Sequence, residues 1–311
     1  MHPDILVSAE LNALVGDDPV PGHAVQWVAP GDSLPRGDYE ALVPLLSRPV
    51  GESELDGLPR LRIVANCAVG VDNVDLAACA RRGIIVTNTP DVLTDSTADL
   101  TWLLILAAAR RAKEGMQLLE RNEWTGWDPT LLLGMELKGR TLGLVGAGRI
   151  GQAVGRRAGA FGMQVLYTSP SAKPEFERDV TTQRVELPVL LQRSDIISLH
   201  LPLTPPTVRL FNRERFFAMR LGSVLVNTAR GELVDEPALL QALSSGHLAA
   251  AGLDVFWNEP RVSRTLIEHA RVVALPHLGS ATHETRRAMA ALAVGNVRAV
   301  LAGKPALTPV T

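Results

Sequence analysis

The chain has 311 residues, of which 46% are hydrophobic and 21% are charged, and its formal net charge is −2. This balance is typical of a globular protein with one or two domains, and it provides no broad basic surface for nucleic acid or an anionic membrane. Aromatic residues make up only 4%, which also argues against a surface on which bases stack.

The two cysteines, Cys67 and Cys79, lack the spacing of metal ligands. We interpret them as reduced core thiols of a cytoplasmic protein. The N-terminus shows no secretory signal, and the apolar stretch from Leu100 to Ala109 is far shorter than the roughly 20 residues that cross a bilayer. We therefore expect no membrane partner, no nucleic-acid partner and no bound metal.

Short apolar strands alternate with helical patterns in the first part of the chain. This alternation predicts an α/β domain with a parallel sheet. A long helical stretch is predicted next, from Thr97 to about Leu119, with Thr94 to Ser96 as capping residues. The strand candidates before that helix are DILVSA, HAVQWV, YEALVPLL, LRIVANCAV and IIVTNT.

A second series of strands and helices follows. Six strands with helical crossovers predict a doubly wound nucleotide-binding sheet, and the helix after Ser280 is expected to pack back on the first domain. The predicted fold is α/β, with two Rossmann-like or flavodoxin-like domains, doubly wound parallel sheets and a cleft between them. Residues 1–95 and 282–311 would form a discontinuous substrate-binding domain, and residues 96–281 a dinucleotide-binding Rossmann domain. The six predicted strands are Leu142–Val145, Gln164–Thr168, Asp195–Leu199, Ser223–Thr228, Ala250–Val255 and Arg271–Leu275.

The first strand of this second series runs directly into a glycine-rich turn. Gly146, Gly148 and Gly151 form G-x-G-x-x-G, with a strand before it and a helix after it. In that context Gly146 allows the tight turn, Gly148 lets the backbone approach a pyrophosphate, and Gly151 lets helix and strand pack closely. The motif predicts dinucleotide binding at the helix N-terminus.

The segment after the next strand bears on the choice of cofactor. An NAD site usually places an acidic residue here to accept the ribose 2′-hydroxyl, but this chain has Ser169, Ser171 and Lys173 and no acid before Glu175. Two hydroxyls and a lysine would tolerate a 2′-phosphate. We therefore expect NADP(H) to be favoured, with NAD(H) as the alternative, and the absence of an arginine in the segment predicts a modest preference.

Three ionisable residues stand near predicted strand ends of the second series: Arg230, Glu259 and His277. Ligands of open α/β sheets bind beyond these carboxyl ends. An imidazolium can protonate a carbonyl oxygen as a hydride reaches the carbon, and a carboxylate beside it orients the ring. A guanidinium can hold a substrate carboxylate. His200 also ends a strand, and with Pro202 it is expected to line the adenine or ribose side of the cofactor.

At this point the residues resemble the D-isomer-specific 2-hydroxyacid dehydrogenases, and most of all their glyoxylate/hydroxypyruvate reductase branch. The matching segments occur in the order that the family has, from about residue 40 to 300. They are NCAVGVDNVD, GIIVTNTPDVLTDSTADL, LKGRTLGLVGAGRIGQAVGRRAGAFGM, LHLPLTPPT, NTARGELVDEPAL, AAAGLDVFWNEP and LPHLGSATHETR.

The resemblance implies catalytic roles for the same Arg230, Glu259 and His277, and a homodimer built around the helix that contains TWLLILAAARR. It also implies reduction of a small 2-oxo acid, such as glyoxylate or hydroxypyruvate, to the D-2-hydroxy acid. The substrate contacts it adds are Ser47, Val69 and Gly70, and the cofactor contacts are Arg149, Ile150, Thr97, Thr228, Ala229, Asp254, Gly279 and Ser280.

Two other functions remain open from the sequence. One is the oxidation of another D-2-hydroxy acid, or of phosphite, on the same scaffold. The other is a non-catalytic dinucleotide-sensing protein that signals redox state through partners. The sensor hypothesis predicts partner binding that survives removal of the His277 imidazole, whereas the enzyme hypothesis predicts that the same change abolishes turnover.

Overall fold

The computed structural model describes residues 4–310. Its strands are short, and those inside the sheets are buried, as expected for parallel sheets that are covered on both faces. In chain order they are β1 (Ile5–Ser8), β2 (Val25–Val28), β3 (Ala41–Val43), β4 (Ile63–Ala65), β5 (Ile85–Thr87), β6 (Thr141–Val145), β7 (Gln164–Thr168), β8 (Gln183–Arg184), β9 (Ile196–Leu199), β10 (Ser223–Asn227), β11 (Leu248–Leu253) and β12 (Val272–Ala274).

The helices mostly separate consecutive strands. They are α1 (Asn12–Val15), α2 (Glu52–Asp56), α3 (Leu76–Arg81), α4 (Thr94–Ala109), α5 (Ala112–Glu120), α6 (Arg149–Ala158), α7 (Pro174–Val180), α8 (Leu187–Arg193), α9 (Arg213–Ala218), α10 (Glu236–Ser244), α11 (Arg264–Glu268) and α12 (His283–Leu301). Short 3₁₀ turns occupy Ala9–Leu11, Gly159–Phe161, Pro205–Thr207 and Gly231–Leu233.

The chain divides into two compact units. The first takes the described residues up to Leu93 and those from Ser280 onward, and the second runs from Thr94 to Gly279. In the first unit five parallel strands have the order β2-β1-β3-β4-β5, which is the flavodoxin-like order. Helix α12 packs against β3, β4 and α1 of this unit, and its N-terminus is capped by the Thr282 side chain.

The second unit is built on seven strands in the order β12-β11-β10-β9-β6-β7-β8, all parallel. The order starts at β6 and reverses between β6 and β9, as in the doubly wound dinucleotide-binding fold. Side chains alternate between two cores: Val224 and Val226 pack into one, and Leu225 packs into the other. The predicted α/β class with doubly wound parallel sheets is thereby confirmed.

The stretch predicted to be helical from Thr97 to about Leu119 is helical, but it is broken once, and it begins at Thr94, so the predicted capping residues lie in its first turn. The segment forms α4 and α5, separated at Arg110 and Arg111. Arg111 has a left-handed backbone with φ of 55°, and its guanidinium bonds the carboxylate of Glu114. The N–H of Met135 then reaches the carbonyl of Ala109, 2.8 Å away, so the returning chain satisfies one of the carbonyls that end α4.

The edge strand β8 was not predicted. It contains only Gln183 and Arg184, both exposed, and such a short polar pair carries no hydrophobic periodicity. It becomes a strand by pairing with β7, where Tyr167 lies opposite Arg184.

Candidate active site

The glycine-rich turn lies where β6 ends, at the reversal point of the second sheet. Gly146 has a φ of 102°, a backbone conformation that L side chains rarely adopt. A Cβ added there would overlap the carbonyl oxygen of His200, and one added to Gly151 would overlap the carbonyl oxygen of Gly146. A Cβ added to Gly148 would meet no heavy atom within 4 Å.

The turn is therefore closed against protein at Gly146 and Gly151 and open at Gly148. Gly148 is the N-cap of α6, whose first two residues are Arg149 and Ile150. The first backbone N–H groups of a helix lack intrahelical partners and favour an anion. The turn thus fits the pyrophosphate of a dinucleotide in front of Gly148.

His200 supports this turn from β9. Its carbonyl contacts Gly146 as described, and its Nε2 lies 2.9 Å from the hydroxyl oxygen of Ser198. Burial lowers the pKa of His200 to about 3, so the ring is neutral near pH 7. Pro202, which follows on the loop, accepts a bond from the Thr207 hydroxyl at 2.9 Å through its carbonyl.

The loop after β7 holds three of the residues predicted to bind the cofactor. The ammonium of Lys173 donates to the hydroxyl of Ser171 at 2.9 Å, and the backbone N–H of Lys173 donates to the phenol oxygen of Tyr167 at 2.7 Å. Ser169 lies between Thr168, the last residue of β7, and Ser171. The side chains of the loop are partly to fully exposed, so they are accessible to a ligand.

Arg184 also reaches this loop, and sequence reasoning missed it. Its Nε donates to the carbonyl oxygen of Ser169 at 2.8 Å, and its Nη2 donates to that of Pro170 at 3.1 Å. The residue lies outside the loop sequence, and only the pairing of β8 with β7 brings it there. A two-residue polar strand gave no signal that would have placed it.

Arg230, Glu259 and His277 follow β10, β11 and β12, which are neighbours in the second sheet. The Nδ1 atom of His277 lies 2.8 Å from Oε2 of Glu259, and both side chains are about a third exposed, at 28% and 31%. The other carboxylate oxygen, Oε1, accepts the backbone N–H of Phe256 at 2.9 Å. The structure thus brings the imidazole and the carboxylate into direct contact, with both still accessible.

The environment keeps Glu259 ionised. Burial raises its pKa, but the hydrogen bond and charge of His277, the Phe256 N–H and the nearby Arg230 charge together outweigh burial, and the pKa lies below its ordinary value. An ionised carboxylate only accepts hydrogen bonds, so the proton of their shared bond sits on Nδ1 of His277. The Nε2 atom is then the one that can exchange a proton with a substrate.

Arg230 is tied to the Glu259 loop through its neighbours. A Cβ on Gly231 would overlap the backbone of Phe256, so the two loops touch at a point that only glycine fits. Asn227, which is 1% exposed, donates to the carbonyl of Arg230 at 2.8 Å and accepts from the N–H of Ala229 at 3.0 Å. Asn227 was missed as a site residue because it reads as an ordinary member of the buried strand.

Asp254 holds the turn that carries His277. Its carboxylate accepts the backbone N–H groups of Leu278 at 2.7 Å and Gly279 at 2.8 Å, and its carbonyl accepts that of His277 at 2.9 Å. His277 has a φ of 53°, which is uncommon for a side chain of this size. Burial is the main reason that the pKa of Asp254 rises to about 6, with the two backbone bonds opposing it.

The remaining predicted cofactor residues of the second unit lie around these groups. The Thr97 hydroxyl donates to the carbonyl of Gly279 at 3.2 Å. The hydroxyl of Thr228 lies 2.9 Å from that of Thr101, a residue of α4. Thr228 and Ala229 connect β10 to Arg230, so this contact with α4 supports the segment that leads to Arg230.

The first unit contains the predicted residues Ser47, Val69, Gly70 and Ser280. Ser47 is in the turn after β3, and Val69 and Gly70 follow β4, so all three lie beyond the carboxyl ends of neighbouring strands. The carbonyls of Val69 and Gly70 accept bonds from the side chains of Asn88 and Asn66, both at 2.8 Å. These asparagines fix the orientation of both peptides, and the sequence gave no indication of that role.

Within residues 4–310, no group of three histidine, cysteine, aspartate or glutamate side chains is arranged to hold a metal ion. None of the helices in the same range combines the length and apolar character that spanning a membrane requires. Cys67 and Cys79 are both buried and unpaired by disulfide.

Comparison with known proteins places the chain in a family. A sequence model described as "D-isomer specific 2-hydroxyacid dehydrogenase, NAD binding domain" matches residues 102–279. The chain belongs to this family. The resemblance seen in the sequence motifs is thus confirmed, as is the expectation of an NAD(P)-dependent dehydrogenase acting on a small molecule. Its cofactor is a nicotinamide dinucleotide.

Several relatives of this chain are named as glyoxylate reductases. The glyoxylate reductase of Thermococcus litoralis is 46% identical over 271 residues, which cover 86% of this chain and 82% of the relative. That of Thermococcus kodakarensis is 48% identical over 271 residues, covering 86% and 81%. The crystal structure of an NADPH-dependent glyoxylate/hydroxypyruvate reductase from Sinorhizobium meliloti, in complex with NADP and malonate, is 36% identical, with a TM-score of 0.90 over 100% of this chain and 97% of that one.

Proposed function

We propose that this dehydrogenase reduces glyoxylate or hydroxypyruvate to the corresponding 2-hydroxy acid, with NADPH as the favoured reductant. The observation that carries the proposal is the 2.8 Å contact between His277 and Glu259. Arg230 follows β10, the strand next to β11, and its charge is close enough to lower the pKa of the Glu259 carboxylate. The similarity to the named glyoxylate reductases supports the choice of substrate.

Each of the three side chains has one role in the reaction. The guanidinium of Arg230 holds the substrate carboxylate and polarises the neighbouring carbonyl, because its planar fork of N–H donors matches a carboxylate. His277 donates a proton from Nε2 to the carbonyl oxygen. Glu259 fixes the ring through Nδ1 and favours its protonated form. The nicotinamide, when bound, supplies the hydride.

The second unit would hold the dinucleotide. We propose that residues 96–281 act as the dinucleotide-binding domain, with the pyrophosphate at Gly146, Gly148, Arg149, Ile150 and Gly151 and with Pro202 on the adenine or ribose side. Thr228, Ala229 and Asp254 would line the nicotinamide side, Thr97 would face the cofactor, and Gly279 and Ser280 would accompany His277. The preference for NADPH rests on Ser169, Ser171 and Lys173, which offer no carboxylate to repel a 2′-phosphate.

The first unit would bind the substrate. Residues 1–95 with 282–311 are proposed as the substrate-binding domain, and the Val69–Gly70 backbone and Ser47 as its contacts with the substrate carboxylate. The carbonyls of Ala68 and Val69 accept bonds from the Thr89 N–H and the Asn88 side chain, both at 2.8 Å. These bonds favour the role, because they fix the two peptides that carry the N–H groups of Val69 and Gly70.

We also propose that the enzyme is a cytoplasmic homodimer. Large apolar side chains are exposed on α5 and the segment that follows it: Met116 is 61% exposed, Leu119 63%, Trp127 83% and Leu133 67%. Several large apolar side chains exposed within one short segment are expected to be covered by a partner. Sedimentation of the wild type and of Trp127→Asp tests the proposal, which requires a dimer that the aspartate weakens. A monomeric wild type would refute it.

A substrate panel tests the proposed reaction. Glyoxylate, hydroxypyruvate, pyruvate and larger 2-oxo acids are each assayed with NADPH and NADH by the loss of absorbance of the reduced nicotinamide, and phosphite is assayed with NADP and NAD in the oxidative direction. We expect the highest kcat/KM for glyoxylate or hydroxypyruvate. Higher kcat/KM for a larger 2-oxo acid or for phosphite would overturn the substrate assignment. Absence of turnover with every substrate would overturn the enzymatic assignment.

A further inference from the structure

The loop predicted to bind the adenosine ribose contains no arginine, but the pairing of β8 with β7 places the side chain of Arg184 against it. Arg184, from the edge strand β8, donates from Nε to the carbonyl of Ser169 and from Nη2 to that of Pro170, at 2.8 and 3.1 Å. Tyr167, near the carboxyl end of β7, is the strand partner of Arg184. The guanidinium therefore lies at the carboxyl ends of the strands, as the glycine turn does.

The hydrogen bonds of Arg184 fix the position of its guanidinium but leave its positive charge uncompensated. Both go to neutral carbonyl oxygens, so neither cancels the positive charge. They also use only part of the fork of N–H donors that the side chain carries. A guanidinium held in this way loses less conformational freedom when an anion binds than a flexible one does.

The other charges around the loop allow an anion. Lys173 adds a second positive charge and directs its ammonium to Ser171. Glu177 lies nearby, and its Oε1 accepts the hydroxyl of Tyr167 at 2.7 Å. The Tyr167 hydroxyl also accepts the loop N–H of Lys173, so the carboxylate is held by a neutral partner that is itself fixed by the loop backbone.

We infer that Arg184 is the residue that distinguishes NADPH from NADH, by donating to the 2′-phosphate together with Lys173, Ser169 and Ser171. The inference deepens the proposed function and rests on it, since it requires the proposed preference for NADPH. It replaces the modest preference expected from the loop sequence alone with a strong one. A phosphate bound to a guanidinium gains charge-assisted, geometrically matched hydrogen bonds.

The experiment compares four proteins: the wild type, Arg184→Gln, Arg184→Lys and Arg193→Gln. Arg193 is an exposed arginine at the end of α8. It comes just before β9 begins, so it lies at the amino ends of the strands, away from the cofactor loop, and is a matched control. For each protein, kcat/KM is measured with NADPH and with NADH. The dissociation constants of 2′-phospho-ADP-ribose and ADP-ribose are measured by calorimetry at low and high salt.

We expect Arg184→Gln to lower kcat/KM for NADPH and the affinity for 2′-phospho-ADP-ribose by about tenfold to a hundredfold. The NADH and ADP-ribose values should stay within about twofold, and Arg184→Lys should fall between the wild type and Arg184→Gln. The wild-type preference for the phosphorylated ligand should shrink as salt rises, because salt screens exposed charges. Arg193→Gln should match the wild type throughout.

Three results would overturn the inference, and they are distinguishable. A wild type that prefers NADH would refute the NADPH preference and the role of Arg184 together, but not the oxidoreductase activity. A wild type that prefers NADPH, with the preference unchanged in Arg184→Gln, would refute the role of Arg184 alone. Equal losses with both cofactors in Arg184→Gln would show that the residue only holds the loop.

Discussion

The imidazole of His277 and the carboxylate of Glu259 share a hydrogen bond of 2.8 Å although they are 18 residues apart in the chain. The bond joins the ends of β11 and β12, and a second layer supports both ends of it. Phe256 N–H holds Oε1 of Glu259, and Asp254 holds the backbone of the turn that carries His277. A proton donor fixed in this way needs no rearrangement when the substrate arrives, which is the condition under which acid catalysis is most effective.

Replacing Glu259 by glutamine tests the importance of the negative charge. The amide oxygen can still accept the Nδ1 proton, while the amide nitrogen then faces the Phe256 N–H, so the substitution removes the charge and one supporting hydrogen bond. We expect kcat for glyoxylate to fall by about tenfold to a hundredfold, with the dissociation constant of NADPH within about twofold of the wild type. Glu268→Gln, which alters an exposed acid paired with Arg264, is the control and should leave both values unchanged. A Glu259→Gln enzyme with wild-type kcat would remove the carboxylate from the mechanism.

The glycines of the turn separate nucleotide binding from folding. A Cβ at position 148 meets no protein atom within 4 Å, so Gly148→Ala should unfold at the wild-type temperature but bind NADPH at least about tenfold more weakly, because the methyl group enters the space needed by the pyrophosphate. Calorimetry and thermal unfolding of the same preparation measure both effects.

Two further glycine variants are controls for that experiment. Gly151→Ala places its Cβ on the Gly146 carbonyl and should lower both affinity and stability. Gly159→Ala, at the C-cap of α6 with φ of −59° and open space around it, should change neither property for the worse. Wild-type affinity in Gly148→Ala would contradict the proposed pyrophosphate position.

The raised pKa of Asp254 predicts how the free energy of unfolding depends on pH. Since the pKa increases from 3.8 to about 6 on folding, the folded chain binds more protons than the unfolded chain between those values, and the stability due to this group is lost as the pH rises through that window. Asparagine carries no such proton. The free energy of unfolding of the wild type relative to Asp254→Asn, measured in urea at several pH values, should therefore decrease from pH 3.8 to above 6. A difference that stays constant or grows would show that folding does not raise the pKa of this carboxyl.

The parts of the fold that the sequence predicted are those with local signals. The buried strands are continuous runs of branched apolar residues, and the bounds predicted for β7, Gln164–Thr168, match the structure. The glycine turn was also predictable because its chemistry lies within six consecutive residues. The proximity of Glu259 and His277 followed from a rule about strand ends that needs no coordinates.

What the sequence did not reveal depends on tertiary contacts. Arg184 joins the cofactor loop only through the pairing of β8 with β7, and β8 has no pattern of its own. The break between α4 and α5 lacks a proline or glycine at Arg110 and Arg111, so helical periodicity alone extended the helix through it. Asp254 and Asn227 support the site through backbone bonds, and a sequence contains no record of which backbone groups a buried polar side chain will satisfy.

The most direct test of the catalytic assignment is the turnover of His277→Asn with glyoxylate and NADPH, measured alongside its affinity for NADPH. His247→Asn is the control, because that imidazole bonds the carbonyl of Met219 at the amino ends of the strands, away from the site. We predict that His277→Asn loses about a hundredfold to ten-thousandfold in kcat and binds NADPH within about twofold of the wild type, while His247→Asn retains full turnover. A His277→Asn enzyme that reduces glyoxylate at more than half the wild-type rate would contradict the assignment of this imidazole as the proton donor.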